Sequence, residues 1–461
     1  MSDNSKGKMG LPGAVAMIVG GIIGTGIFTL PAAIGRFGFA SLVGLLIATV
    51  GAIALALVFG SLSKRSAAAG GPYAYAREGF GDAIGFFNAF SYWCAAWPGN
   101  SAIVLSWVFY VQALFGWTPG QNSTQMIIIA MIGLWVPAAI NLIGVKSMAK
   151  FQVVTSILKF IPMIFLGTVG IYYAFKLGNW PEWNPSGEST MFAVSNSIAI
   201  ATFSYVGVEC ASVAAAAVKN PEKNVPLATV IGTLVCAAVY ILVTVAIYGI
   251  VPYETLKTSG APFADAFNTI FGVDWAGKVV AAFAVISGIG ALNGWTMIAA
   301  AVPQAAAENN LFPPAFKKLN RNGVPYWGVI TATTFASVAV IAALSTAGGV
   351  EAFSKIVTFS GVTVGVPYFF SVLTQLYWLY TNGRRILDPI KFVRECIIAV
   401  IGLVFTYWMV IGSGELANYL AFIVFLAGFV MMTWMFIRTG KFANPKLADD
   451  SKTPAQQGAD D

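Results

Sequence analysis

Twelve times between residues 11 and 438 the sequence stays apolar for about the 20 residues that an α-helix needs to cross ~30 Å of hydrocarbon. The stretches fall at about 11–36, 40–62, 83–115, 126–145, 151–175, 191–217, 226–250, 276–306, 325–347, 353–381, 393–412 and 416–438. Such a sequence cannot cover an aqueous surface, because only 10% of its residues are charged, against roughly 25% in a soluble domain. The reading is an all-α membrane protein of twelve transmembrane helices. Residues 1–10 form a short polar segment and 11–440 one membrane unit. Residues 441–461, ending in ADDSKTPAQQGADD, have the composition of a disordered tail. The first apolar segment is too long and too rich in glycine for a cleavable signal and is expected to remain.

The few charges are sorted by side. An even number of spans puts both termini on one side, and the connections there hold 20 Lys and Arg, from Lys6 and Lys8 through Lys146, Arg384 and Arg385 to Lys452. The other side holds five: Arg36, Lys176, Lys257, Lys278 and Lys355. This asymmetry predicts that both termini are cytoplasmic. It also accounts for the net charge of +7 without nucleic acid, since the basic residues form no single stripe. The sequence has no histidine, which removes imidazole metal sites and Ser-His or Cys-His nucleophile pairs. Cys94, Cys210, Cys236 and Cys396 lie in apolar runs without a CxxC spacing and read as packed thiols. No catalytic group, metal or cofactor is expected, and an enzyme is not the reading.

Two spans carry the signs of a transport site. The first has Gly20, Gly21, Gly24 and Gly26 crowded at its middle, with Pro31 soon after. The sixth has Gly207 two residues before Glu209, a carboxylate deep in an apolar span and therefore a functional candidate by default. Interrupted helices five spans apart fit inverted-repeat transporters, whose half-helix N-termini receive an anionic group of the substrate.

The segments GIIGTGIFTLP, AAGGPYAYARE, YWCAAWPGN, GVECASVAAAAVKNPEKNVPLAT, GWTMIAAAVPQAAAENNLFPPAF and VPYFF resemble the amino acid–polyamine–organocation superfamily, over essentially all twelve spans. They are most similar to its basic amino acid/polyamine antiporters, which include arginine/agmatine, arginine/ornithine, lysine/cadaverine and putrescine/ornithine exchangers. The resemblance implies a LeuT-like fold with two five-helix inverted repeats, interrupted helices 1 and 6 and two further helices. It also implies alternating access, a bacterial cytoplasmic membrane, a homodimer, and small amino acids and amines as partners. By the same resemblance, Thr25 and Gly26, with the main chain near Ile22, receive the substrate carboxylate, and the main chain around Phe203, Ser204 and Val206 takes the α-amino group. Asn100 and Ser360 match the distal pocket, and Trp295 matches an aromatic on which a cationic side chain stacks. Tyr92, Glu209 and Tyr368 match a proton-sensitive gate on the cytoplasmic side of the substrate.

Three positions depart from the arginine/agmatine pattern or qualify it. Phe203 stands where those exchangers have Trp, and Ala96 where they have a small polar residue, which weakens the case for a guanidinium. Lys159, about two turns into the fifth span, resembles a lysine that mimics the bound cation of sodium-coupled relatives, although a lysine there can also snorkel to the interface. Two functions stay open at this point: exchange of an amino acid for its decarboxylated amine or another product, and proton-coupled net uptake with broader, neutral or aromatic specificity.

Overall fold

The structure is a computed structural model and describes residues 9–65, 71–144, 148–210, 218–383 and 386–440. Lys6, Lys8, Lys146, Arg384, Arg385, the end of the sixth span at 211–217 and the tail from 441 lie outside the described residues. Helix dominates because lipid offers the backbone no hydrogen-bond partner, so each spanning segment must pair its own N–H and C=O groups.

All twelve apolar segments carry helix. The first is split into α1 (Leu11–Ile22) and α2 (Gly26–Gly35), bent by 46°. There follow α3 (Ala40–Ser63), α4 (Pro72–Leu114), α5 (Ser123–Ile143), and a fifth span of α6 (Met148–Phe165), a π-turn (Leu166–Gly170) and α7 (Ile171–Leu177). The sixth span contains α8 (Thr190–Phe203) and the seventh is α9 (Pro221–Ile250). Then come α10 (Asp274–Glu308), α11 (Tyr326–Thr346), α12 (Gly349–Trp378), α13 (Pro389–Ile411) and α14 (Glu415–Arg438). Among the described residues nine helices are long and apolar enough to cross a membrane, and the bent pair makes ten. The count of twelve rests on α4, which polar residues such as Asn88, Ser91 and Asn100 dilute, and on α8, only 14 residues long. The third span also starts earlier than its apolar run suggests. Pro72 opens α4, and Gly81 (φ 82°) kinks it before the apolar run begins. Two short helices, Tyr253–Leu256 and Pro262–Phe271, were not legible in the polar loop between α9 and α10.

The packing repeats with a shift of five spans. The second span packs on the seventh, the third on the eighth and the fourth on the ninth (α3 with α9, α4 with α10, α5 with α11). Three further pairings have their counterparts: α1 with α9 and α8 with α3; α6 with α10 and α12 with α4; α5 with α4 and α11 with α10. Exchanging spans 1–5 with 6–10 maps these pairings onto one another. Because five is odd, the exchanged helices run in opposite directions, which is the inverted repeat. α13 and α14 pack outside this unit and are the least buried, with Ile390, Val430 and Ile437 turned outward.

Candidate functional site

Both interruptions lie at the centre of the repeat pair and touch each other. After Ile22 the backbone leaves the helix at Ile23 (ψ 84°) and re-enters at Gly26. In the sixth span, α8 ends at Phe203 and a series of turns follows to Glu209, with Gly207 at φ 111°. A Cβ on Gly207 would stand 2.7 Å from both the carbonyl carbon and the carbonyl oxygen of Gly21, so the two breaks meet backbone to backbone. Glycine is required there twice over, by its conformation and by the close approach.

Around this crossing lies a cavity with about 510 Å³ of space between atoms, part of it open to solvent. The first break contributes Ile22, Gly24, Gly26 and Ile27 to its wall, and the sixth span contributes Phe203, Ser204 and Val206. α4 adds Tyr92, Ala96 and Gly99, α10 adds Trp295, and α12 adds Ser360 and Val364. Among the described residues of the wall none is charged. Trp295 and Phe203 contribute aromatic rings, and the Ser360 hydroxyl, which donates to Ala95 O at 3.0 Å, keeps lone pairs to accept with.

Two expected wall residues are placed elsewhere. The Thr25 hydroxyl donates to Ile103 O (2.9 Å) and the residue does not line the cavity, since the close approach of α4 claims that side chain. Its departure leaves the first N–H groups of α2 uncapped by any side chain, facing the break. Asn100 is also outside the wall, and its buried side-chain oxygen has no partner among the described residues.

Directly beneath the cavity, on the side of the N-terminus, Glu209 is fully buried and accepts hydrogen bonds from the hydroxyls of Tyr92 and Tyr368 and from Gly207 N–H (3.2 Å). These bonds join α4, α12 and the sixth span. Of the three, only Tyr92 reaches the wall; Glu209 and Tyr368 lie one layer deeper. Phe59 of α3 packs edge-on against the Tyr368 ring at 5.3 Å.

Residues 9–441 match the family described as amino acid permease. The protein belongs to that family. This permease is 31% identical over 405 residues to the cadaverine/lysine antiporter of Escherichia coli K12, covering 87% of its own length and 90% of that protein. It is 31% identical over 410 residues to the putrescine transporter PotE of Haemophilus influenzae, covering 89% and 93%, and 30% identical over 416 residues to that of Escherichia coli K12, covering 90% and 93%.

The permease also holds its freed carbonyls with two side chains that belong to neither break. Lys159 is buried, and its ammonium donates to Ile23 O and to Gly20 O (3.4 Å), so it is bound inside the fold and does not snorkel. Tyr240 of α9 places its hydroxyl 3.0 Å from both Ile22 O and Ser204 O, one from each break. Sequence reasoning missed Tyr240. The available signal was a phenol in the middle of the apolar AAVYILV run, where a buried hydroxyl needs a partner.

Proposed function

We propose that this permease is a secondary active antiporter of the cytoplasmic membrane, with both termini cytoplasmic, that exchanges a cationic amino acid for its decarboxylated amine by alternating access. The observation that carries this reading is an uncharged cavity between two helix breaks, closed on one side by a buried carboxylate held by two phenols. Uncapped N–H groups at the start of α2 suit a carboxylate. The carbonyls at the end of α8 suit an α-amino group, with Tyr240 as their resident donor. The far end of the substrate meets the rings of Phe203 and Trp295 and the oxygen of Ser360. A cation over such a ring is stabilised by roughly 0.5–2 kcal/mol.

The same wall favours an alkylammonium over a guanidinium. A guanidinium brings five N–H donors in a fixed fork. With Ala96 and Gly99 on α4 and Ser360 opposite, the distal wall offers few acceptors for them, whereas an ammonium is compact and can share a ring face with one hydroxyl. Lysine or ornithine with cadaverine or putrescine is therefore the preferred pairing, consistent with the relatives' names. Homodimerisation is part of this reading, and its test is the protein mass in detergent.

Counterflow in proteoliposomes tests the exchange. Vesicles preloaded with cadaverine or putrescine should take up labelled lysine or ornithine many times faster than empty vesicles, and agmatine-loaded vesicles should take up arginine weakly. Proton-driven uptake into empty vesicles at the same rate would overturn antiport. It would favour the second reading, net proton-coupled uptake, for which the buried ammonium of Lys159 is the supporting observation.

A further inference from the structure

Two turns beyond Tyr368 on α12, a second polar group crosses helices that the Glu209 lock does not join. Gln375 is fully buried; its side-chain oxygen accepts from Arg65 Nη1, and its nitrogen donates to Glu395 Oε2 at 2.9 Å. Ser61 Oγ donates to the same Glu395 oxygen at 3.0 Å and accepts from Arg65 Nη2 at 2.8 Å. The Arg65 guanidinium lies 3.4 Å over the Trp378 ring. Ser61 is in α3, with Arg65 two residues past its end, Gln375 and Trp378 are in α12, and Glu395 is in α13. The amide of Gln375 thus sits between a cation and a carboxylate, oxygen toward the first and nitrogen toward the second. Both ends are satisfied, and the orientation is fixed.

Position gives this group its meaning. Tyr368 and Gln375 are seven residues apart, so they share one face of α12 and stand about 10 Å apart along it. On the facing helix, Phe59 touches Tyr368 while Ser61 reaches the Gln375 group, so the two attachments act in series. None of the five side chains lines the cavity.

We propose that Gln375 is a positioning residue of the gate: clamped by Arg65, Ser61 and Glu395, it holds α12 against α3 and α13, keeps Tyr368 within reach of Glu209, and so sets how readily the lock parts. The proposal rests on the alternating-access reading above, but it concerns the gate equilibrium and not the cargo. Its variants should therefore change access to the gate while leaving the cavity wall intact.

Cys210 supplies a native reporter. Its thiol is buried against Gly21, one residue past Glu209, and on this proposal is expected to become reachable when the lock parts. In protein with Cys94, Cys236 and Cys396 replaced by Ala, labelling of Cys210 by a small water-soluble methanethiosulfonate reads that opening. Gln375→Glu sets a second carboxylate against Glu395 and should raise the labelling rate about fivefold or more, as a shift in gate population. Adding Glu395→Gln exchanges the amide and carboxylate positions. Arg65 then pairs with the carboxylate at 375, the new amide donates to it, and Ser61 donates to the amide oxygen. The double variant should return to within about twofold of the parent. A rate for Gln375→Glu within twofold of the parent, or a double variant that stays fast, overturns the proposal. Where Gln375→Glu does not elute as folded protein, Arg65→Lys and Ser61→Ala are measured instead, and unchanged labelling in both overturns it equally. Labelling needs no substrate, so this test can fail while counterflow succeeds, and the reverse.

Discussion

The two halves of the broken first span are fastened by different chemistry. α2 is tied to α4 by neutral hydroxyls: Thr25 donates to Ile103 O (2.9 Å), Thr29 bonds Ser106 (2.7 Å), Ser106 donates to Thr25 O (2.8 Å) and Tyr110 donates to Phe28 O (2.8 Å). α1 ends instead against the ammonium of Lys159 and the phenol of Tyr240, and it crosses the sixth span two residues from Glu209. Hydroxyl bonds keep their donors and acceptors across the physiological pH range, while an ammonium or a carboxylate changes its bonding with each proton gained or lost. The α2 half, outer in the orientation proposed above, is therefore a seat whose strength is independent of protons. The α1 half, inner in that orientation, is fastened by groups whose bonding a proton or a cation can alter.

The hinge between the halves should give the largest effect. Gly207→Ala places a methyl 2.7 Å from the Gly21 backbone at φ 111°, and the conformation alone costs about 1–3 kcal/mol. We expect little folded protein in a thermal unfolding assay; a parental Tm would mean that the two breaks do not meet as described. Next, Lys159→Met leaves the carbonyls of Gly20 and Ile23 without their donor, a loss of about 1–3 kcal/mol for each buried group left unpaired. Exchange should fall by more than tenfold, and full transport with unaltered coupling would reduce Lys159 to a spectator.

Glu209→Gln should flatten the pH dependence of exchange between about pH 5 and 8, because the amide cannot gain or lose the proton. Thr29→Val in the outer half should keep the shape of that profile while lowering stability by about 0.5–1.5 kcal/mol. If the outer variant reshaped the profile and the inner one did not, the contrast between the halves would be wrong. The smallest effect is expected at Asp388, outside the spans, where the Lys391 N–H and then the Lys391 side chain hold the carboxyl below its ordinary value. Its contribution is present above the unfolded value of 3.8 and is lost as pH falls through the lower folded one. Asp388→Asn should thus lower Tm slightly above about pH 4, with the difference vanishing in stronger acid. A Tm difference between variant and parent that varied with pH near neutrality would show that pH acts beyond the inner half.

Apolarity alone was enough to locate helix in all twelve segments, because a spanning segment has no other way to pair its backbone. The breaks were legible too: Gly20, Gly21, Gly24 and Gly207 mark where backbones can approach, and Glu209 marks a polar group in the wrong solvent. The assembly of the lock was not legible locally, since Tyr92 and Tyr368 lie 117 and 159 residues from Glu209, and only the family resemblance joined them. Side-chain direction was the least legible. Thr25 stands beside the cavity in sequence, but its hydroxyl turns to Ile103 O because α4 passes close by, and nothing in the spacing encodes that neighbour. The Gln375 group was invisible for the same reason: a Gln, a Ser, an Arg and a Glu from three helices acquire a joint role only once packed.

The contact of Gly21 with Gly207 has a mechanical side. Backbone meets backbone there, with the small Cys210 side chain alongside Gly21, so the contact resists compression but offers little resistance to rotation, in the manner of a fulcrum. With 12 residues in α1 and 10 in α2, the arms on either side are about 18 and 15 Å long. Rocking by about 10° would swing the two ends some 3 Å in opposite senses, about the diameter of a water molecule. Nearly equal arms convert a small tilt into simultaneous narrowing at one mouth and widening at the other.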